Sequence, residues 1–322
     1  MSQLDYTYAV ARVRAKEVSL LNAAAYDQLL ACQDHAQVRR ALSERGWGES
    51  AEQSDEELLS SELSKTRAFI GELIKESDLL DLFSYAPDFH NLKAVIKQVC
   101  TQREFPDVYL PGGLTDVSAM LSAVKLQHFA DLPAHLRAPA QEAFSLLLET
   151  RDGQLCDLVL DKACLAAIYE KGSRDKNEVL RKYAEITVAS ANIKIAVRAC
   201  KTKKPYPLIL RSLAPCASLD TATLAKAASE SPDAICEYLA ATDYAAGAEI
   251  LRRSPAAFER WCDGLIIEAM KPQKHNPFSV GPLVAYLLAR ENEIKSVRLI
   301  LSAKLNGFSD EAVRERLREA YV

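Results

Sequence analysis

Five histidines and eight cysteines are the side chains of this 322-residue chain best suited to ligate a metal or act as a nucleophile. Their spacing serves neither purpose. His35, His90, His128, His135 and His275 include no pair three or four residues apart, so the two-histidine face of a His-Glu-x-x-His helix is missing. His90 stands beside Asn91 in a segment repeated later, but the other copies carry Ala191 and Asn292 there, so it reads as a structural histidine. No Cys-x-x-Cys pair occurs. Cys100, Cys164, Cys200 and Cys236 fall among apolar residues on helical patterns, as reduced buried thiols do, and zinc would require clustered ligands. A glycine-rich phosphate loop and a Gly-x-Ser-x-Gly elbow are also missing. Without a nucleophile–base or metal constellation, no catalytic residue, metal or cofactor is expected. The net charge of −4 argues against a nucleic-acid partner.

Lysine and arginine chemistry remains, which is the recognition of acidic or phosphate-bearing surfaces. Lys93, Lys194 and Lys295 each follow a polar residue and an aliphatic one: Asn91-Leu92, Asn192-Ile193 and Glu293-Ile294. They read either as snorkelling lysines whose stems cover an apolar helix face or as three equivalent cations lining a shared cavity. The segment from Ile186 to Leu219 contains Lys194, Arg198, Lys201, Lys203, Lys204 and Arg211 and no acidic residue. A helix dipole favours cations at its C-terminus, yet this cluster runs on through Lys203-Lys204. Lys93, Lys194, Lys295, Arg198, Lys201, Lys203 and Lys204 are therefore the candidate partner-binding residues. The acidic run of Glu44, Glu49, Glu52, Asp55, Glu56, Glu57 and Glu62, opposed only by Arg45, reads as a solvated helix start, with a docking surface for a basic partner as the alternative.

The elements that must carry these residues are helices. Hydrophobic residues make up 49% of the chain, good helix formers dominate, and only 11 Gly and 13 Pro interrupt it, so the fold class is all-α. Phe89–Cys100, Ser190–Lys201 and Glu291–Ser302 are diverged copies of one segment, with Asn91 to Asn192 and Asn192 to Glu293 both 101 residues apart. A unit of that length is a small domain and not a solenoid repeat. Three similar helical lobes are expected, at 1–105, 106–205 and 206–322, with the N-terminal helix able to pack against the C-terminal lobe. The joints fall at Phe105-Pro106 and at Lys203-Lys204-Pro205. Helix starts are expected at Asp34, Ser54 with Glu57, Asp152, Ser231-Pro232 and Ser254-Pro255. Pro87 is expected to break the chain before the first repeat, and Pro139 to open a helix. Gly307 should end the third repeat, and Ser309 should begin a last helix running to Val322. The N-terminus lacks the charged and apolar regions of a signal peptide. The apolar stretch Phe278–Ala289 contains Pro282 and is too short to span a bilayer.

The C-terminal segment from Val280 resembles the C-terminus of the C-subunit family of V-type and A-type ATPases, the counterpart of the d subunit in the eukaryotic vacuolar pump. The residues concerned are Pro282, Tyr286, Glu291-x-Glu293-Ile294-x-x-Val297-Arg298, Lys304-Leu305-Asn306-Gly307 and Tyr321-Val322. Tyr6 to Ala15, Asp88 to Lys93 and Asn192-Ile193-Lys194 are similar to other segments of that family, so the resemblance covers essentially the whole chain. It implies three helical lobes arranged as a pseudo-threefold funnel. It also implies a non-catalytic rotor subunit on the cytoplasmic face of the membrane. Its partners would be the central-shaft subunits and the proteolipid ring, with no nucleic acid and no small-molecule substrate. A helical scaffold that takes a partner helix into an inter-lobe cavity is the alternative that the residues alone leave open.

Overall fold

A computed structural model describes residues 6–50, 52–74, 78–104 and 108–322. The described residues are all-α, with no strand among them. In chain order the helices are α1 (Thr7–Glu17), α2 (Ala23–Leu30), α3 (His35–Ser43), α4 (Asp55–Leu73), α5 (Tyr85–Thr101), α6 (Val117–Lys125), α7 (Ala134–Thr150) and α8 (Gly153–Ser173). Then come α9 (Glu178–Lys201), α10 (Tyr206–Ser212), α11 (Thr221–Glu230), α12 (Pro232–Ala240), α13 (Ala245–Arg253), α14 (Pro255–Met270), α15 (Gly281–Asn306) and α16 (Asp310–Arg314).

Most helix starts are set by local side chains. Ser54 and Glu57 form a reciprocal capping box on α4, satisfying two of the N–H groups that a helix start leaves unbonded. Asp34, Asp152, Ser231 and Ser254 cap α3, α8, α12 and α14, the last two with proline at the first helical position. Gly307 closes α15 in the left-handed conformation.

Four expectations need correction. Pro87 does not break the chain; it lies in the first turn of α5, where the N–H that proline lacks has no intrahelical acceptor. Pro139 lies inside α7, which already starts at Ala134 behind Pro133. The last helix ends at Arg314, and beyond it the Asn292 amide donates to the Glu319 carbonyl in a non-helical segment. Helices α2 and α13 come in addition to those expected. The expected joint at Phe105-Pro106, and the expected helix start at Asp5, lie outside the described residues.

The chain forms two compact units: Met1–Ser77 with Ala246–Val322, and Asp78–Ala245. In the first, α15 packs on α1, α3, α4 and α14. Its core joins Tyr26, Leu29, Leu42, Trp47 and Leu59 to Val297, Ile300 and Leu301. The second centres on α5, α7, α8 and α9. Its core includes Leu92, Val95, Ile96, Met120, Leu136, Phe144 and Leu160. The longest helix, α15, buries 18 of its 26 residues, so it is surrounded by neighbours and not amphipathic in the usual sense.

Candidate partner-binding site

The repeated segments lie on the helices α5, α9 and α15. In each, the polar residue of the motif holds a distant stretch of backbone. On α5 the Asn91 amide donates to the Leu110 carbonyl (2.9 Å) and accepts from the Leu110 N–H (2.8 Å). On α9 Asn192 does the same to Ala214, at 2.7 and 3.0 Å. Both pinned residues stand six positions before the aspartate that caps the following helix, Asp116 for α6 and Asp220 for α11. On α15 two neighbours divide the task. Glu293 accepts from the Leu21 N–H, immediately before Asn22, which caps α2, while Asn292 donates to Glu319 O at 2.9 Å. A carboxylate can only accept, so replacing asparagine by glutamate moves the donor to the adjacent residue. His90, beside Asn91, bonds the Val108 carbonyl (2.9 Å), so its Nε2 is the protonated nitrogen.

The lysines of the motif differ from copy to copy. Lys93 pairs with Asp161 of α8 at 2.6 Å. Lys194 is half-buried on α9, and Lys295 is exposed on α15. At the end of α9, Arg198, Lys201, Lys203 and Lys204 are all exposed and come together as one basic turn. Lys203 has φ of 51°, and the Lys204 N–H donates to Ala199 O while the Lys203 N–H donates to Cys200 O. This is the hydrogen-bond pattern of a Schellman stop, with lysine where glycine is usual. The left-handed conformation costs a β-carbon residue about 1–2 kcal/mol. Lys203→Gly is expected to raise stability by about 0.5–1 kcal/mol after the extra chain entropy of glycine is counted. Urea unfolding of the two proteins checks this, and a loss of stability would refute it.

Sequence reasoning misses a buried ion cluster in the first unit. Arg290 of α15, 6% exposed, donates to Glu62 of α4 (Nη2 to Oε2, 2.8 Å) and also to Glu293 one turn further along α15. Its guanidinium lies 4.7 Å from the centroid of the Trp47 ring. Lys65 adds a second cation to Glu62 at 3.0 Å. Burial pushes the Glu293 carboxyl above its ordinary value, against the pull of Arg290 and the Leu21 N–H. The Arg290–Glu293 spacing is readable in the sequence, but Glu62, 228 residues from Arg290, is not. In the second unit His135 packs on Tyr85 and faces the fully buried Asp88 at 3.3 Å. The eight cysteines are free; burial pushes Cys156 up to about 11 and Cys164 up to about 12, leaving weak nucleophiles. No group of three or more metal-ligating side chains occurs among the described residues.

This is an all-α protein whose repeated helices share one device for pinning backbone. The chain belongs to the family described as ATP synthase (C/AC39) subunit, which matches residues 9–316. It is 24% identical to the C subunit of the V-type sodium ATPase of Enterococcus hirae, over 82% of this chain and 81% of that protein. It is 24% identical to the C subunit of the V-type ATP synthase of Thermus thermophilus, over 97% of this chain and 98% of the relative. The C subunit of the A-type ATP synthase of Methanothermobacter thermautotrophicus is 26% identical, over 97% of this chain and 87% of its own. Among the described residues no helix is long and apolar enough to cross a membrane.

Proposed function

We propose that this chain is the non-catalytic coupling subunit of a rotary V/A-type ATPase, held on the cytoplasmic face of the membrane between the central shaft and the proteolipid ring. Three similar lobes, each built on one of α5, α9 and α15, would enclose the socket for the shaft. The third lobe would draw on both ends of the chain. The observation that carries this reading is the shared register of Asn91, Asn192 and Glu293, each of which accepts from the backbone of a segment near a capped helix. A socket with threefold pseudo-symmetry needs such equivalent positions. The basic turn Arg198, Lys201, Lys203 and Lys204 is the contact proposed for the acidic or headgroup surface of a partner. Lys93, Lys194 and Lys295 are proposed as secondary contacts.

The test is co-purification of the chain with separately prepared shaft subunits and proteolipid ring. The variant Lys201→Glu/Lys203→Glu/Lys204→Glu is expected to keep the unfolding midpoint of the isolated chain. It should lose severalfold in affinity for one partner, most at low salt, because several exposed charges together steer docking while each alone contributes little. A wild-type chain that binds neither shaft nor ring would overturn the assignment. A variant that binds both partners normally across salt would remove the basic turn from it.

A further inference from the structure

Helix α1 is apolar on two faces. One face buries Ala9, Val10 and Val13 and packs on α15. The other carries Tyr8, Ala11, Ala15 and Val18, and all four are exposed. Tyr8 at 71% and Val18 at 86% are the two most exposed large apolar side chains among the described residues. Val18 follows the last helical residue with helical φ and ψ, so it continues the same face. The steps between the four are three, four and three residues, the a/d spacing of a helix seam. A surface helix ordinarily turns charged and polar residues to water; this strip holds no charge of its own.

The two borders of the strip differ. On one, Arg12 stands over the Tyr8 ring at 6.0 Å and over the Phe69 ring of α4 at 5.2 Å, and Lys16 lies 5.8 Å from the same Phe69 ring. On the other, Arg14 is neutralised by Glu17 at 2.6 Å. The strip is therefore cationic along one edge and balanced along the other. An exposed apolar strip marks an interaction site, and its chemistry selects the occupant. Helices that lie on lipid carry bulky Leu, Phe or Trp on the apolar face, whereas the centre of this strip is two alanines. A second copy offers no carboxylate to the cationic edge, because its Glu17 is taken by Arg14. Alanine at the centre of a seam lets another helix approach to the short end of the ~8–10 Å range of helix separations, with Tyr8 and Val18 as knobs at the two ends.

We propose that the outer face of α1 is a docking strip for one α-helix of the shaft, apolar at heptad spacing and acidic along the edge that meets Arg12 and Lys16. This rests on the reading of the chain as a coupling subunit, in which the shaft must be gripped firmly enough to carry torque. Interdigitated side chains along about three turns of helix supply such a grip, and exposed charge contacts alone do not.

The test is calorimetric titration of the full-length chain with separately prepared shaft subunits. Ala11→Glu/Ala15→Glu changes exposed helical positions to another good helix former, so the unfolding midpoint should hold. The wild-type chain should bind, and this variant about tenfold or more weakly, because docking would bury carboxylates without partners. Tyr8→Ser/Val18→Ser carries the same test if the glutamate variant unfolds. Arg12→Gln/Lys16→Gln should lose severalfold at low salt and little at high salt. Wild-type binding to the shaft that the strip variants match would overturn the inference and leave the coupling reading standing. A wild-type chain that binds no shaft would overturn both. Two parallel measurements also refute it. Capture by vesicles containing an anionic phospholipid, lost in Ala11→Glu/Ala15→Glu, would assign the strip to a membrane. A wild-type dimer in sedimentation, lost in the same variant, would assign it to a second copy.

Discussion

Arg290→Met is expected to lower stability by about 3–5 kcal/mol at neutral pH, the range for removing one partner of a buried ion cluster. Methionine fills much of the volume, so the loss is electrostatic. Glu62 and Glu293, both under a tenth exposed, would face each other with only the half-exposed Lys65 between them and solvent. The effect has a direction in pH. Glu293 already sits above its ordinary pKa because of burial, and Arg290 is the main charge that lowers it. Removing Arg290 raises it further. A carboxyl whose folded pKa exceeds its unfolded one contributes fully below the unfolded value, and that contribution is lost as pH rises through the folded value. The deficit of the variant should therefore be smallest in mild acid and grow toward neutrality. Urea unfolding at pH 5 and pH 7.5 measures both quantities. Adding Glu62→Gln and Glu293→Gln should recover a large part of the loss, because the neutral triple variant buries no unpaired charge. A deficit below about 1 kcal/mol, or one that does not change with pH, would show that the carboxylates are hydrated.

Asn192→Ala is expected to cost about 2–4 kcal/mol. Both atoms of the side-chain amide are engaged, and their common partner, Ala214, is fully buried. Truncation leaves an N–H and a carbonyl without partners where water has no access, and each such loss costs about 1–3 kcal/mol. The backbone from Leu213 to the Asp220 cap of α11 should lose its amide-exchange protection before the body of α9 does. Asn192→Asp keeps the acceptor but loses the donor, so it should fall between wild type and alanine unless the carboxylate's burial dominates. Asn91→Ala is the internal comparison. Its partner Leu110 is 44% exposed, so water can replace the lost bonds and the loss should be smaller. Equal losses at the two positions would refute the argument from burial.

The parts of this structure legible in the sequence are those whose causes are local. Ser54 with Glu57, Asp34, Asp152 and the two Ser-Pro pairs mark real helix starts because a cap needs only residues within one turn. The C-terminal helix is shorter than its helix-compatible sequence suggests, and the segment after it is held by a bond from Asn292 to Glu319, remote along the chain. Pro139 does not open a helix because proline is tolerated in one whose start lies a few residues earlier, and Pro133 supplies that start. The repeated motif is visible as a polar–aliphatic–lysine pattern, in which the lysine is the conspicuous member. The structural work falls to the polar residue before it, whose partners at Leu110, Ala214 and Leu21 carry no recognisable signal of their own. The Arg290 cluster needs Glu62, which only the tertiary fold brings near.

The first unit takes its chain from both ends of the molecule, and this has a consequence during synthesis. A ribosome delivers α1 to α4 well before the helix that fills their core, α15, with the whole 78–245 segment made in between. The 78–245 segment is continuous, so its core is complete in sequence as soon as it has been translated. Leu29, Leu42 and Leu59 must meanwhile wait with their apolar faces uncovered, and the Leu21 N–H waits for a carboxylate not yet made. The nascent N-terminus is thus a natural client for a chaperone. Any truncation that removes α15 deprives the beginning of the protein, and not only its end, of a core.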